Sequence, residues 1–482
     1  MKNFFKTKAF IIVALLGTSV FVLLQSPLAP YAKSIIGIDS GIFIYSARQI
    51  LDGQIMYKDI VDHKGPFLYF INAIALLIFN RNYIGIWIFE LLSLFTASII
   101  MYKTARFFTD KFSSLLAVIC SMLFLVICLG RGNMTEEWAL PYLSVALYIF
   151  VDYLKRNNPL TIVRLFILSF SFVLTFMLRA NMVAIWAGFG VVLLIKWIVD
   201  KKYGELIRNL SFILLFILLS LFPFFLYFYY NGALSDAIYL IFKFNMFEYA
   251  QQSNLFIFIL RTILKISYIG IIIPIIFAAY MVFRERTAVN RGVLLALVFT
   301  VLVCSIGKNF PHYYIIFLPI LVIPYSYIFT IIKENIFKKK CIFVYILLFL
   351  LFSYNIVFIG RQLMLIVDNY SEKSSYSIKI EKLTEIINQN TKPTDKILEQ
   401  NLSPCLYLYS HRVCATRFPY PLVLSSFAQE HYVKDAEKAL PKLIIRGVKR
   451  YPLDRFNVDP LLFNKYQLIE TVEDTEVWKL KE

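Results

Sequence analysis

Runs of roughly 20 apolar residues, the length an α-helix needs to cross a bilayer, recur from about Ala9 to about residue 360, with short polar stretches between them. Lys2, Lys6 and Lys8 precede the first run, about Ala9 to Leu28. That layout resembles a signal peptide, but the core has span length and Pro27-Leu-Ala-Pro30 is a poor cleavage site, so the segment reads as an uncleaved first span. The polar stretches fall into two kinds. Lys103/Arg106/Lys111, Lys155/Arg156/Arg164, Lys201/Lys202/Arg208, Arg284/Arg286/Arg291 and Lys333/Lys338/Lys339/Lys340 are basic clusters, which the positive-inside rule places in the cytoplasm. Two apolar segments and one further polar loop separate neighbouring clusters, so those loops fall outside.

The run at about 66–79 breaks this alternation, because only an odd number of crossings can join the outer loop before it to Lys103. At about 14 residues it is too short to span, and it is expected to lie at the interface or to re-enter. The expectation is a polytopic α-helical membrane protein of about eleven spans plus one interfacial or re-entrant helix, with a cytoplasmic N-terminus. Beyond the last span, about 341–360, charge density becomes ordinary. An amphipathic stretch (Ile378 to Ile387), a loop entering a strand at Pro393-Thr-Asp-Lys-Ile-Leu, and strand-like runs at Cys405–Tyr409, Leu443–Ile445 and Glu476–Trp478 predict a small extracytoplasmic α/β domain. The expected divisions are 1–362 for the membrane part, with a first outer loop at about 29–65, and 367–482 for the terminal domain.

Composition agrees with this class. The chain is 59% hydrophobic and 17% charged, with a mean hydropathy of +0.68, outside the balance of a soluble domain. The net charge of +18 lies in the topogenic clusters rather than along one face, so topology explains it better than nucleic-acid binding. No internal repeat is evident, which argues against a transporter built from inverted repeats. Of six cysteines, Cys120, Cys128, Cys304 and Cys341 sit in apolar runs as small hydrophobes, while Cys405 and Cys414 are spaced to bridge a hairpin in an oxidising compartment.

The outer loops gather the chemically unusual residues. Asp39, in Gly-Ile-Asp-Ser-Gly, is either a general base for an acceptor hydroxyl or a loop acid or helix N-cap. Lys64, before Gly65 and Pro66, is a cationic partner for a lipid-linked phosphate or a snorkelling interfacial lysine. Glu136 and Glu137 precede a span, where they can orient an acceptor, bind a divalent cation, or favour a helix N-terminus. Arg179 has no acidic neighbour in sequence, so an anionic ligand or a lipid headgroup is its expected partner. Lys308, His312 and Tyr313 form a polar cluster able to donate hydrogen bonds to phosphate or sugar, or to serve structure alone.

Asp39-Ser-Gly, the downstream Tyr57-Lys-Asp-Ile-Val-Asp-His-Lys-Gly-Pro-Phe-Leu-Tyr69, Asn133-Met-Thr-Glu-Glu-Trp-Ala-Leu-Pro141 and the outer His312-Tyr-Tyr together resemble bacterial integral-membrane glycosyltransferases of the GT-C superfamily. The branch is the family 39-like one, related to protein O-mannosyltransferases and lipid A aminoarabinose transferases. The resemblance implies a GT-C fold and transfer of a hexosyl or pentosyl unit, with inversion, from a polyprenyl-phosphate carrier to an acceptor hydroxyl. The acceptor would be a glycan, lipid or protein on the outer face of the bacterial plasma membrane. By position Asp39 matches the catalytic first-loop aspartate and Lys64 the lysine that contacts the donor phosphate. Glu136, Arg179, Lys308, His312 and Tyr313 become further substrate contacts. Two departures stand out: Ser40 replaces the acidic residue that follows the aspartate in protein mannosyltransferases, and Gly65 is inserted between lysine and proline. The second leaves Asp62 and His63 as alternative matches to the preceding acid and as candidate metal ligands. A lipid-linked glycan polymerase or ligase, or a flippase, remains the alternative reading. The former would carry a large outer loop between spans, and the latter would place charge deep within them.

Overall fold

Side chains at the helix starts explain why several of the apolar runs begin where they do. Asp110 accepts hydrogen bonds from the backbone N–H groups of Phe112 (3.0 Å) and Ser113 (3.2 Å) at the start of Lys111–Leu123. Thr161 and Thr287 do the same for Ile162–Leu178 and Ala288–Ser305. Each cap satisfies donors that a helix N-terminus otherwise leaves open. The computed structural model describes residues 7–249, 255–306, 309–335, 342–400, 403–421, 425–448 and 458–482. Lys308, Lys338 to Cys341 and the end of the Asn231–Asn254 stretch lie outside the described residues.

Among the described residues, six helices are long and apolar enough to cross a membrane, or seven if Phe256–Tyr268 and Ile272–Arg284, bent by 105°, form one broken span. This is fewer than the eleven expected. The difference lies in helices such as Lys8–Leu23, Ile162–Leu178 and Ala184–Val199, which are apolar but short, and in Thr135–Arg156, which carries acids in its first turn and bases in its last. Only 6% of the most apolar window of Tyr203–Tyr230 is buried. Its outward Leu214, Leu215, Leu218 and Phe222 suit contact with hydrocarbon, and the chain is a multi-pass membrane protein.

Residues 1–26, 87–226 and 250–367 make one compact unit. Within it Ala184–Val199 packs on Ala288–Ser305. A Cβ on Gly188 would lie 2.4 Å from the backbone nitrogen of Ala296, so glycine is what lets the two helices approach this closely. The turn between Thr135–Arg156 and Ile162–Leu178 is fixed by buried Asp152, which accepts from Arg164 Nη2 at 2.6 Å and from Asn158 Nδ2 at 2.9 Å.

Residues 27–86, 227–249 and 368–482 make the second unit, so the first outer loop and the terminal residues belong to the same compact body. Its sheet contains β1 (Lys396–Gln400), β2 (Val413–Cys414), β3 (Leu443–Gly447), β4 (Tyr466–Val472) and β5 (Thr475–Leu480), in the order β2-β1-β3-β5-β4. β1 pairs in parallel with both β2 and β3, with Ile397 opposite Leu443. β5 runs antiparallel to β3 and β4. The predicted strands around Ile397, Leu443 and Val477 are present, and the predicted amphipathic stretch lies within the helix Ser375–Asn390, whose Ile380, Leu383 and Ile387 are buried.

Cys405–Tyr409 is a short helix, not a strand. Its side chains alternate too weakly in polarity to mark either period, and Cys405 to Leu408 are all buried. Cys405 and Cys414 are free thiols rather than a bridge. The Cys414 thiol instead donates to the Tyr407 hydroxyl at 3.3 Å.

The glycine contact sets a clear contrast. Gly188→Ala, which drives Cβ into the Ala296 backbone, is expected to cost about 1–3 kcal/mol. Gly190→Ala, where nothing lies within 4 Å, should be neutral or slightly stabilising, since alanine is the better helix former. Thermal unfolding of the two purified variants in detergent checks this, and equal midpoints would show that the close approach carries no weight.

Candidate active site

Gly37 is the N-cap of the helix Ile38–Leu51, which places Asp39 in the first turn rather than at the cap. The Asp39 carboxylate is half-buried and takes no hydrogen bond among the described residues. Its negative charge sits where the helix dipole favours it. Further along, the same helix presses Tyr45 and Arg48 onto the terminal domain. The Tyr45 hydroxyl accepts from the Cys414 N–H at 2.9 Å, and Arg48 Nη1 donates to the Leu408 carbonyl at 3.4 Å. Arg48 also lies 3.3 Å from His411 Nδ1. Burial, together with Arg48 and Arg412, holds His411 below its ordinary range and so favours the neutral ring.

The chain between this helix and the next is tied at several points. Asp59 accepts from the Ile55 N–H at 2.9 Å, the Tyr57 N–H donates to the Ile60 carbonyl at 2.7 Å, and the Val61 N–H donates to the Arg417 carbonyl at 2.8 Å. Asp62 is the centre of the arrangement. One of its oxygens accepts from the His63 backbone N–H (2.7 Å) and contacts His63 Nδ1 (3.0 Å), and the other accepts from the Tyr69 hydroxyl (2.6 Å). Burial alone would raise the Asp62 pKa, but the His63 hydrogen bond and charge, the Lys64 ammonium and the Tyr69 hydroxyl outweigh it. The carboxyl therefore lies below its ordinary range and stays ionised.

Lys64 follows directly, half-buried. Its carbonyl accepts from the Tyr57 hydroxyl at 2.7 Å, and the His63 carbonyl accepts from Asn245 Nδ2 at 2.8 Å. Gly65 then caps the helix Pro66–Ile78, with Pro66 in its first turn, where a missing N–H costs nothing. That helix has 13 residues and packs on Ile38–Leu51, in keeping with the expected short segment. The two helix starts thus carry Asp39 and Lys64 on neighbouring elements.

Asp62 and His63, considered above as candidate metal ligands, are hydrogen-bonded to each other. Both Asp62 oxygens are already engaged by His63 and Tyr69, and no group of three His, Cys, Asp or Glu able to hold a metal occurs among the described residues. The pair is a hydrogen-bonded strut. Its third member, Tyr69, escaped the reading of charged residues although it closes the motif that begins at Tyr57. The only sequence signal was its spacing, one helical turn beyond Pro66.

The other compact unit gathers the remaining candidates. Arg179 has an acidic partner after all: Nη1 meets Glu136 Oε1 at 2.5 Å, with Glu136 buried. The two are 43 positions apart and meet because Thr135–Arg156 packs on Ile162–Leu178. The guanidinium also lies over the Tyr313 ring, 3.8 Å from its centroid, and the His312 ring meets Tyr313 edge-on at 4.8 Å. Glu136, Arg179, His312 and Tyr313 are therefore one cluster. Glu137 points elsewhere in the same unit and is fully buried, as is Glu90, whose carboxylate accepts from the Asn133 N–H. Gly130 to Asn133 all adopt positive φ, and a Cβ on Gly132 would lie 2.8 Å from Glu90, so the Gly-Arg-Gly turn is built around that buried acid.

Residues 2–343 match the family model described as "Putative competence-induced protein Ccs4 N-terminal domain". No curated protein sequence matches the chain. Among solved structures, ArnT from Cupriavidus metallidurans bound to undecaprenyl phosphate is similar at 12% identity over 98% of each chain, with a TM-score of 0.65. Its apo state is similar at 13% identity with the same score. The archaeal oligosaccharyltransferase AglB from Archaeoglobus fulgidus, in complex with an inhibitory peptide and a dolichol-phosphate, aligns over 99% of this chain and 75% of its own. Its identity is 13% and its TM-score 0.56. At these identities the likeness is one of fold alone, and that fold is shared with ArnT and AglB.

The Asp62 strut has a pH signature. Because its folded pKa is lowered, the stability it contributes is present above the unfolded value, about 3.9, and is lost as pH falls through the lower folded value. Tyr69→Phe removes one of the causes of that lowering. It should cost about 1–2 kcal/mol at neutral pH and move the acid limb of the stability profile to higher pH. Unfolding midpoints followed from neutral to acid for wild type and variant test this, and superimposable profiles would contradict it.

Proposed function

The chain belongs to the competence-induced Ccs4 N-terminal-domain family, and from that premise and its GT-C fold we propose that it is a membrane glycosyltransferase. Its donor is a sugar carried on a polyprenyl phosphate, and its acceptor presents a hydroxyl at the outer face of a bacterial plasma membrane. The observation that supports this best is the pairing of roles in the first loop. Asp39 offers a carboxylate not engaged in any hydrogen bond among the described residues, at a helix N-terminus, and Lys64 is held beside the ionised strut of Asp62.

In this reading Asp39 accepts the proton of the acceptor hydroxyl as its oxygen attacks the anomeric carbon. The bond from that carbon to the phosphate oxygen breaks, and the polyprenyl phosphate leaves with its charge met by Lys64. A single displacement inverts the anomeric centre. ArnT and AglB have been seen with undecaprenyl phosphate and dolichol-phosphate respectively, which supports a lipid-phosphate carrier here. Arg179, expected as an anion contact, is ion-paired with Glu136. Lys64 is therefore the chosen phosphate clamp, and the Arg179 cluster is assigned to holding His312 and Tyr313 for the sugar.

Asp39→Asn should fold, bind donor and lose transfer by about 10²–10⁴-fold, the contribution of a positioned base. Lys64→Ala should weaken donor binding by roughly 10- to 100-fold, the worth of a hydrogen bond to a charged group. Turnover and donor titration on the purified protein with a polyprenyl-phosphate sugar give both numbers. Near-normal turnover in Asp39→Asn would remove the base, and unchanged donor affinity in Lys64→Ala would remove the clamp.

A further inference from the structure

A cavity of about 450 Å³ lies within the second compact unit, between the first loop and the terminal domain. Its size falls in the range of small-molecule sites, roughly 300–1,000 Å³. It is separate from the Asp39 and Lys64 side chains, neither of which lines it.

The charges around it do not cancel. Arg417 is satisfied by Asp435, with Nε 3.2 Å from Oδ2, and Asp59 is held by the Ile55 N–H at 2.9 Å. Lys396, at the start of β1, and Lys438, near the end of the helix Ser425–Ala439, also line the cavity. Neither makes an ion pair or a side-chain hydrogen bond among the described residues. With Arg417 and Asp435 offsetting each other, two lysines against the one remaining carboxylate, Asp59, leave the lining with a net positive charge, which favours an anion. The rest of the wall suits a sugar: Tyr45 and Ile60 give it apolar surface, while Gln54 and Thr416 supply hydrogen-bonding groups.

We infer that this cavity binds an anionic sugar unit, one bearing a phosphate or a carboxylate, and that this unit belongs to the acceptor. The second half of the inference rests on the glycosyltransferase reading; the first half does not. Two features link the cavity to the proposed chemistry. Asp59 and Ile60 line it five and four positions before Lys64 on the chain, and the Arg417 carbonyl on its wall receives the Val61 N–H. An occupant would therefore press on the same short segment that carries the Asp62 strut.

Glucose 6-phosphate, glucuronate and glucose are the probes, with binding to the full-length protein in detergent read by saturation-transfer NMR and by titration. At least one of the two anionic sugars should bind, and which one does separates phosphate from carboxylate recognition. Glucose should bind at least about tenfold more weakly, the scale of a charge-assisted contact. Lys396→Glu with Lys438→Glu should abolish the binding, and the gentler Lys396→Gln with Lys438→Gln should weaken it, with unfolding midpoints confirming that each variant is folded. Asp39→Asn should bind the probe as wild type does, so loss of turnover in that variant and loss of binding here report on different claims. Failure of both anionic sugars to bind, equal binding of glucose, or unchanged binding in a folded charge-reversal variant would overturn the inference. Inorganic phosphate competing as well as glucose 6-phosphate would overturn its sugar component.

Discussion

A single buried carboxylate organises the first loop. Asp62 cannot remain in its apolar setting unless its oxygens are satisfied, and the groups that satisfy them come from its own neighbour and from the following helix. His63 and Tyr69 supply the donors, and Tyr57 and Asn245 fix the two carbonyls that follow. Each hydrogen bond to an ionised group contributes about 1.5–3 kcal/mol, and leaving one unmade costs at least as much. The loop therefore has few alternatives, and the position of Lys64 follows from that restriction. Gly65 and Pro66 then convert the tied loop directly into a helix.

The same segment faces a second partner. Through Tyr45, Arg48 and Val61 the first loop is hydrogen-bonded to the terminal domain, and the two form one compact unit although more than 300 positions separate them. This explains why a small α/β sheet follows the last apolar helix. β1 and β3 are buried strands of a mixed sheet; Lys396 at the start of β1, and Thr416 and Arg417 just after β2, line the cavity beside the first loop. In the proposed function the terminal domain is then part of the substrate-handling surface rather than an appendage.

Much of this was legible in the sequence, for identifiable reasons. Apolar runs of span length need no partner to be recognised, and the shortness of the Pro66–Ile78 segment was visible as a failure of parity. The strands at Ile397, Leu443 and Val477 carry β-branched residues between polar breaks, so period and composition agree. The helix at Cys405–Tyr409 was misread because five residues without clear alternation suit either element. Pairings between distant residues were not legible. Arg179 looked unpaired only because Glu136 lies on a different helix, and Tyr69 looked apolar because its hydroxyl acquires meaning only when the chain folds back on Asp62. The charged members of the site could be listed from the sequence, but their division into an acid without a hydrogen-bond partner among the described residues, a strut and an ion pair required the fold.

The central claim is that the first loop performs an inverting displacement on a lipid-linked sugar. It is tested most directly by the anomeric configuration of the product. The purified protein would be given a polyprenyl-phosphate sugar of one defined anomer and an acceptor alcohol, and the new glycosidic linkage assigned by NMR. One base at Asp39 and one leaving group at Lys64 predict a product of the opposite configuration, formed without a covalent sugar–protein intermediate. A product that retains the donor's configuration would contradict the account.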